Sequence, residues 1–208
     1  MQVQENNPAS ADNLPTDIGA PLGGGFYAGR IMIAGVVHAL IVAPKGEGEH
    51  DGVEWLESED RVSGADSYCD GMGNTVAMAE AGSDLANWAR GLSIGGHTDW
   101  YIPSQDELEI LYRNLKPTTR ENYLYGRSGV NPSALPPTHS YTANVPAQTA
   151  AKDFQEGGAQ AFANEWYWSS TQHAAFDGYA WGQDLLGYQL NNLKSASLRA
   201  RAVRRFAI

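Results

Sequence analysis

The fourteen residues Gly95-Gly96-His97-Thr98-Asp99-Trp100-Tyr101-Ile102-Pro103-Ser104-Gln105-Asp106-Glu107-Leu108 constrain the fold more than any other part of the chain. Two glycines permit a tight loop, the aromatic pair ends a buried strand, and Ser104 stands three residues ahead of Glu107. That spacing is a capping box, in which each side chain accepts a hydrogen bond from a backbone N–H of the opening helical turn. Leu108, Leu111, Tyr112 and Leu115 then recur as one stripe, which predicts a helix ended by Pro117. Glu109 and Arg113 are spaced to pair at i, i+4 on its outer face. The carboxylate pairs Asp106/Glu107 and Glu57/Glu59 read as capping and surface charge rather than acid–base machinery.

Before this helix, residues Met1 to Gly25 read as an extended arm, either disordered or a strap that docks on another subunit. Phe26–Met32 and Val36–Ala43 flank Ala34-Gly35, a hairpin signal. Lys45–Asp51 reads as a charged loop and Val53–Leu56 as a short strand. Ala65–Leu92 reads as two or three short helices, weakened at Gly71 and Gly73 and restarted at the cap residue Ser83. The long connection Pro117–Gly158 carries Pro117, Pro132, Pro136, Pro137 and Pro146, the kind of stretch that often forms a functional surface. From Trp166 onward the pattern is strand throughout: Tyr167–Thr171, Tyr179–Leu185, Tyr188–Leu193 around Leu186-Gly187, and Leu198–Phe206. The expected organisation is an arm over residues 1–25 and one domain over 26–208, with an insertion at 117–158.

Composition narrows the function. Fourteen basic against 24 acidic residues give a net charge of -10, which repels nucleic-acid phosphates and anionic lipid. A single cysteine, Cys69, rules out an intrachain disulfide; it reads as a small buried hydrophobe on a helix, with a nucleophilic thiol as the sharper alternative. Met1–Leu22 lacks the apolar core of a signal peptide, and the apolar run Ile31–Ala43 is too short to span a bilayer. The expectation is a protein made in the cytoplasm and not inserted in a membrane.

Reaction chemistry is scarce. His38, His50, His97, His139 and His173 are scattered, with no metal-ligand spacing among them, so no metal and no cofactor are expected. Glu47, Glu49 and Asp51 read as a solvated acidic loop before they read as a calcium site. No Gly-x-Ser-x-Gly elbow or P-loop is present, and no catalytic residue is assigned. What remains is a stretch alternating aromatic and amide side chains: Gln172, His173, Phe176, Asp177, Tyr179, Gln183, Asp184, Tyr188, Gln189, Asn191 and Asn192. Rigid aromatic area beside adaptable hydrogen-bonding groups is the composition of binding surfaces, although Tyr179, Trp181 and Tyr188 also suit core-facing strand positions. Arg199, Arg201, Arg204 and Arg205 form a basic cluster that either holds an acidic glycan or pairs with the chain's own carboxylates.

Three separated elements, Gly95–Leu108, Tyr167-Trp168-Ser169-Ser170-Thr171 and Arg201-Ala202-Val203-Arg204, together resemble the C-terminal domain of collagen-like bacterial adhesins, the Lcl-type domain. The resemblance runs from Phe26 to Phe206. It implies an α+β, C-type-lectin-like fold: small antiparallel sheets flanked by two main helices, long irregular loops, and N- and C-terminal strands paired. Tyr101 replaces the arginine usual in that family, and Ala202 stands where its closing strand commonly has a cysteine, leaving Cys69 without its expected partner. Loss of that bridge suits folding in a reducing cytosol. The enzyme branch of the wider superfamily depends on paired cysteines, which Cys69 alone does not supply.

The function implied is that of a non-enzymatic virion protein of a tailed phage, a receptor-binding or fibre-tip subunit recognising a host surface receptor or glycan. A structural baseplate or capsid decoration protein, or a bacterial adhesin for sulfated polysaccharide, are the alternatives. The implied partners are other virion subunits, held through the arm, and further copies of the chain in a trimer.

Overall fold

A computed structural model describes residues 14–208, and the first half of the expected arm, residues 1–13, lies outside them. The chain forms β1 (Pro21–Leu22), β2 (Gly25–Ile33), β3 (Val36–Val42), α1 (Lys45–Gly48), β4 (Glu49–Val53), α2 (Gly71–Glu80), α3 (Asp84–Arg90) and α4 (Gln105–Leu115). After a long irregular connection come β5 (Trp166–Gln172), β6 (Tyr179–Asp184), β7 (Gln189–Leu193), β8 (Leu198–Arg201) and β9 (Val203–Ala207). The architecture is α+β, with one sheet ordered β1-β2-β3-β9 and a second ordered β4-β8-β5-β6-β7. Neighbours pair antiparallel except β5 and β8, which run parallel.

The β2–β3 hairpin turns at Ala34 and Gly35, both left-handed with φ of 50° and 81°, the geometry that matches the twist of the flanking strands. The closing strand joins this sheet through β3, with Val42 opposite Val203 and Ala39 opposite Phe206. The direct pairing of N- and C-terminal strands that the resemblance implies, between the Phe26 strand and the closing strand, does not occur, because β2 is already flanked by β1 and β3. Nor is Leu198–Phe206 one strand. It breaks at Ala202, where the chain leaves the second sheet and enters the first. Ala202 is fully buried, its N–H donating to Gly48 O at 2.8 Å and its carbonyl accepting from Ala43 N at 3.0 Å. A methyl group is what fits between two sheets at such a crossing.

The three motifs converge. Tyr101 and Val203 exchange both backbone hydrogen bonds, at 2.8 and 2.9 Å, and Ser170 N donates to Pro103 O at 2.8 Å. Trp100, Trp168 and Val203 are each at most 1% exposed, in three adjoining apolar clusters. Leu14, Ile18 and Leu22, within the stretch read as an arm, pack against these clusters.

The capping box forms as its spacing requires: Ser104 accepts from Glu107 N, and Glu107 accepts from Ser104 N at 2.8 Å. Its carboxylate does more than cap. Oε2 also accepts from Gly71 N at 3.1 Å, while Oε1 accepts from Tyr101 Oη at 2.6 Å and Arg205 at 3.1 Å. Gly71 therefore opens α2 instead of interrupting it, since a Cβ there would collide with Glu107 Oε2 and Ser104 N. Cys69 lies just ahead of that helix, not on it, half-buried with Sγ 3.8 Å from Ser67 Oγ.

Other expectations shift because segments remote in sequence pack on these elements, the insertion over α4 above all. Asp106, Glu107 and Glu109 are buried rather than on an outer face. Asp106 receives Arg127 and Ser133, and Glu109 receives Arg113 at 2.8 Å, Asn131 at 2.8 Å and Tyr141 Oη at 3.0 Å. The strand placed at Val53–Leu56 is instead Glu49–Val53, because Trp55 turns inward and donates from Nε1 to Ser169 O at 2.9 Å.

Removing one partner of a buried charge pair strands the other, so Glu107→Ala should lose about 3–5 kcal/mol. Ser104→Ala, which deletes only the cap, should lose about 1 kcal/mol. Urea denaturation of both variants checks this; equal losses would reduce Glu107 to a helix cap.

Candidate functional site

The aromatic and amide residues singled out in the sequence divide into wiring and surface. Gln172 is buried: its Oε1 accepts from Val62 N at 3.0 Å and Lys194 Nζ at 3.3 Å, and its Nε2 donates to Asp66 at 2.9 Å. It clamps the 54–66 loop to β5. Gln183 and Gln189 are also buried, opposite one another on β6 and β7. Gln189 Nε2 donates to Gln183 Oε1 at 3.1 Å, and Gln183 Nε2 to Tyr141 Oη at 3.3 Å. Burial and the Glu109 charge hold the Tyr141 hydroxyl well above the usual phenol range, so it stays a donor. Gln183 and Gln189 join the sheet to the insertion, Gln172 joins it to the 54–66 loop, and all three are internal.

Two aromatic groups do reach the surface. The first centres on Tyr188 at the β6–β7 turn. Asp184 shapes that turn by accepting from Leu186 N at 3.0 Å and Tyr188 N at 2.8 Å. Burial pushes the Asp184 carboxyl up, and those amides offset part of the shift. Gly187 adopts φ 104°, where a side chain is strained and where Tyr112 and Tyr141 approach closely. The insertion docks here through Tyr123 N, which donates to Leu186 O at 2.9 Å. Tyr123 stacks on Tyr188 with ring centroids 4.0 Å apart, and Tyr125 and Trp166 lie at 6.5 and 6.4 Å from the same ring. Leu124 and Tyr125 are 62% and 61% exposed, so this platform is apolar and open.

The second group sits at the β5–β6 tip. His173 Nδ1 accepts from the N–H groups of Ala175 and Phe176, both at 3.1 Å, which places the ring proton on Nε2. Its ring stacks on Phe176 at 4.7 Å and lies 5.2 Å from Trp181, while Phe176 meets Tyr179 edge-on at 6.0 Å. Phe176 is 56% exposed and Asp177 pairs with Arg61 at 3.3 Å. Asn191 and Asn192 are half-buried on β7. Tyr123, Leu124, Tyr125 and Trp166 were not singled out in the sequence, although Tyr-Leu-Tyr in an otherwise polar, proline-rich connection was a usable signal.

The four arginines do not make one free basic patch. Arg201 is fully buried, bonded to Ala43 O at 2.7 Å and to Glu49 at 2.9 Å. Arg199 joins the same carboxylate at 3.3 Å and reaches Asp51 and Glu165. Glu49 is consequently buried and ion-paired, not part of a solvated acidic loop. Arg204 grips Asp99 through two bonds of 2.7 and 3.0 Å, and Arg205 spans Asp70 and Glu107. Among the described residues no three His, Cys, Asp or Glu converge in a metal-holding group, and no helix is long and apolar enough to cross a membrane.

The Asp99–Arg204 grip ties the Gly95–Trp100 loop to β9, the same pairing of first and third motifs that the resemblance rests on. The family model of the Lcl C-terminal domain matches residues 48–204. The chain belongs to that family. It thus carries an adhesin-like Lcl C-terminal domain, preceded by a hairpin whose strand β3 receives β9. No curated protein matches the sequence. Within this Lcl domain the aromatic platform is built from the insertion and the β6–β7 turn, both inside the matched span.

Burial alone would raise the Asp99 carboxyl, but the Arg204 guanidinium on both oxygens holds it below its ordinary 3.8. A depressed folded value means stability present above 3.8 and lost as pH falls through the lower folded value. Asp99→Asn should therefore melt below the parent at neutral pH, with the gap closing as pH falls under 3.8. Thermal melts across that range check it; a gap independent of pH would remove the ion pair from the account.

Proposed function

We propose that this Lcl domain is a non-enzymatic attachment domain that recognises a host-surface receptor or glycan through the platform formed by Tyr123, Leu124, Tyr125, Trp166 and Tyr188. One observation carries the reading: Leu124 and Tyr125 stand more than half exposed beside the stacked Tyr123–Tyr188 pair, on a connection otherwise pinned to the body. Exposed aromatic and aliphatic surface of this kind costs solubility unless a ligand covers it. The rigid rings lose little entropy on binding. Commitment of Arg199, Arg201, Arg204 and Arg205 to internal carboxylates favours this surface over an arginine-lined site for sulfated polysaccharide.

The proposal extends to a receptor-binding or fibre-tip role on a tailed phage, in a trimer. Anchoring through the arm falls to residues ahead of Leu14, since Leu14, Ile18 and Leu22 serve the domain's own core. A catalytic role for Cys69 is set aside because, among the described residues, the one side chain that hydrogen-bonds its thiol is the Ser67 hydroxyl, at 3.8 Å, and no base does.

Labelled protein should bind intact bacterial cells or an array of envelope polysaccharides and block infection by the parent phage. Leu124→Ser with Tyr125→Ser should weaken binding about tenfold or more, as loss of exposed anchors does, without changing the melting temperature. Cys69→Ser should leave binding intact. No binding to any cell or polysaccharide, together with no effect on infection, would sink the proposal.

A further inference from the structure

We infer that the outer edge of β7, together with the neighbouring β5–β6 tip, receives an extended basic segment of a partner protein, added to the sheet as a further strand. The inference is independent of the Tyr188 platform and rests on backbone, surface and charge.

The backbone comes first. β7 ends the second sheet, with β6 on one side and, among the described residues, no strand on the other. Lys194 N donates to Gly178 O at 2.9 Å and Asp184 N to Tyr188 O at 3.0 Å, which fixes the even-numbered residues as the hydrogen-bonded pairs between β6 and β7. Asn191 therefore turns its N–H and C=O groups away from β6 and has no backbone partner among the described residues, whereas Gln189 has the same orientation but is buried, so the edge is open at its Asn191 end. Leu190, Asn191 and Asn192 are half-buried, and the strand carries no proline, lysine or bulge to block an incoming chain. An edge of this kind recognises an extended peptide through its main chain.

The tip supplies the side-chain preference. Tyr179 lies opposite Leu193 and Trp181 opposite Asn191, so all four share one face beside His173 and Phe176. Leu193 is 44% exposed and Phe176 56%, an apolar floor for the aliphatic stem of a long side chain. Carboxylates surround it. Asp177 follows Phe176, Glu59 packs within 3.3 Å of where a Cβ on Gly178 would stand, and Asp66 meets Gln172 at 2.9 Å. Asp60 caps the same loop through Ser58 and offers its carbonyl to Lys194. Against these four stand Arg61, held by Asp66 and Asp177, and Lys194, whose ammonium is buried against Trp55. The balance is acidic, on a chain of net charge -10. Aromatic faces rimmed by carboxylates attract guanidinium and ammonium groups, and charge complementarity selects a basic over an acidic strand.

The test uses a fluorescein-labelled Val-Arg-Val-Arg-Val-Arg peptide, its Val-Glu counterpart and a form N-methylated at alternate residues, titrated against the whole protein by anisotropy. The arginine peptide should bind, and more weakly as salt rises from about 50 to about 500 mM. The glutamate and N-methylated forms should bind at least about tenfold more weakly. Asp177→Asn with Glu59→Gln should weaken the arginine peptide about tenfold, and Asn191→Pro, which deletes one outward N–H, should do likewise. Near-UV circular dichroism establishes that each variant is folded, and Tyr125→Ser should leave peptide binding unchanged. Equal binding of the arginine and glutamate peptides, undiminished binding of the N-methylated form, or no binding of the arginine peptide would overturn the inference.

Discussion

The carboxylate of Glu107 is the point on which the rest of the structure depends. Each of its oxygens accepts two hydrogen bonds, from Ser104 N and Gly71 N on one side and from Tyr101 Oη and Arg205 on the other. One buried charge thereby fixes the start of α4, the start of α2, the aromatic loop and the closing strand relative to one another. A buried carboxylate is tolerable only when its lone pairs are satisfied. Each of these four segments is thus held to its place by the cost of leaving Glu107 short of a donor.

The same logic organises the periphery. Glu49 gathers Arg199 and Arg201 where β4 meets β8, Asp99 gathers Arg204, and Asp106 and Glu109 gather Arg127 and Arg113 from the insertion and α4. The acidic excess of the chain is spent partly on fixing long irregular segments that have few backbone ladders of their own. Arg199, Arg201, Arg204 and Arg205 are thereby turned to internal carboxylates, while Leu124, Tyr125 and Phe176 stay exposed.

Much of the fold was legible in local signals. Ser104 and Glu107, the Ala34-Gly35 hairpin, the Ser83 cap and the Leu186-Gly187 turn all act within a few residues, so spacing alone was enough to place them. Glu109, Asp106 and Glu49 were misplaced on the surface because their burial comes from segments far away in sequence, above all the 117–158 return over α4. The candidate face was legible only as composition. Gln172, Gln183 and Gln189 have the same chemistry as surface amides, and only their partners Val62, Tyr141 and Lys194 mark them as internal.

By itself the sequence determined the elements that depend on near neighbours: caps, turns, strand alternation, and the three motifs on which the resemblance to the family was read. Tertiary structure decided which charges are buried, where the closing strand changes sheets at Ala202, and which aromatic rings meet at the surface. The physical reason is range. A cap or a two-residue turn is settled by backbone geometry within a few positions, whereas the desolvation of a carboxylate or the stacking of Tyr123 on Tyr188 exists only once chain segments remote in sequence have been brought together.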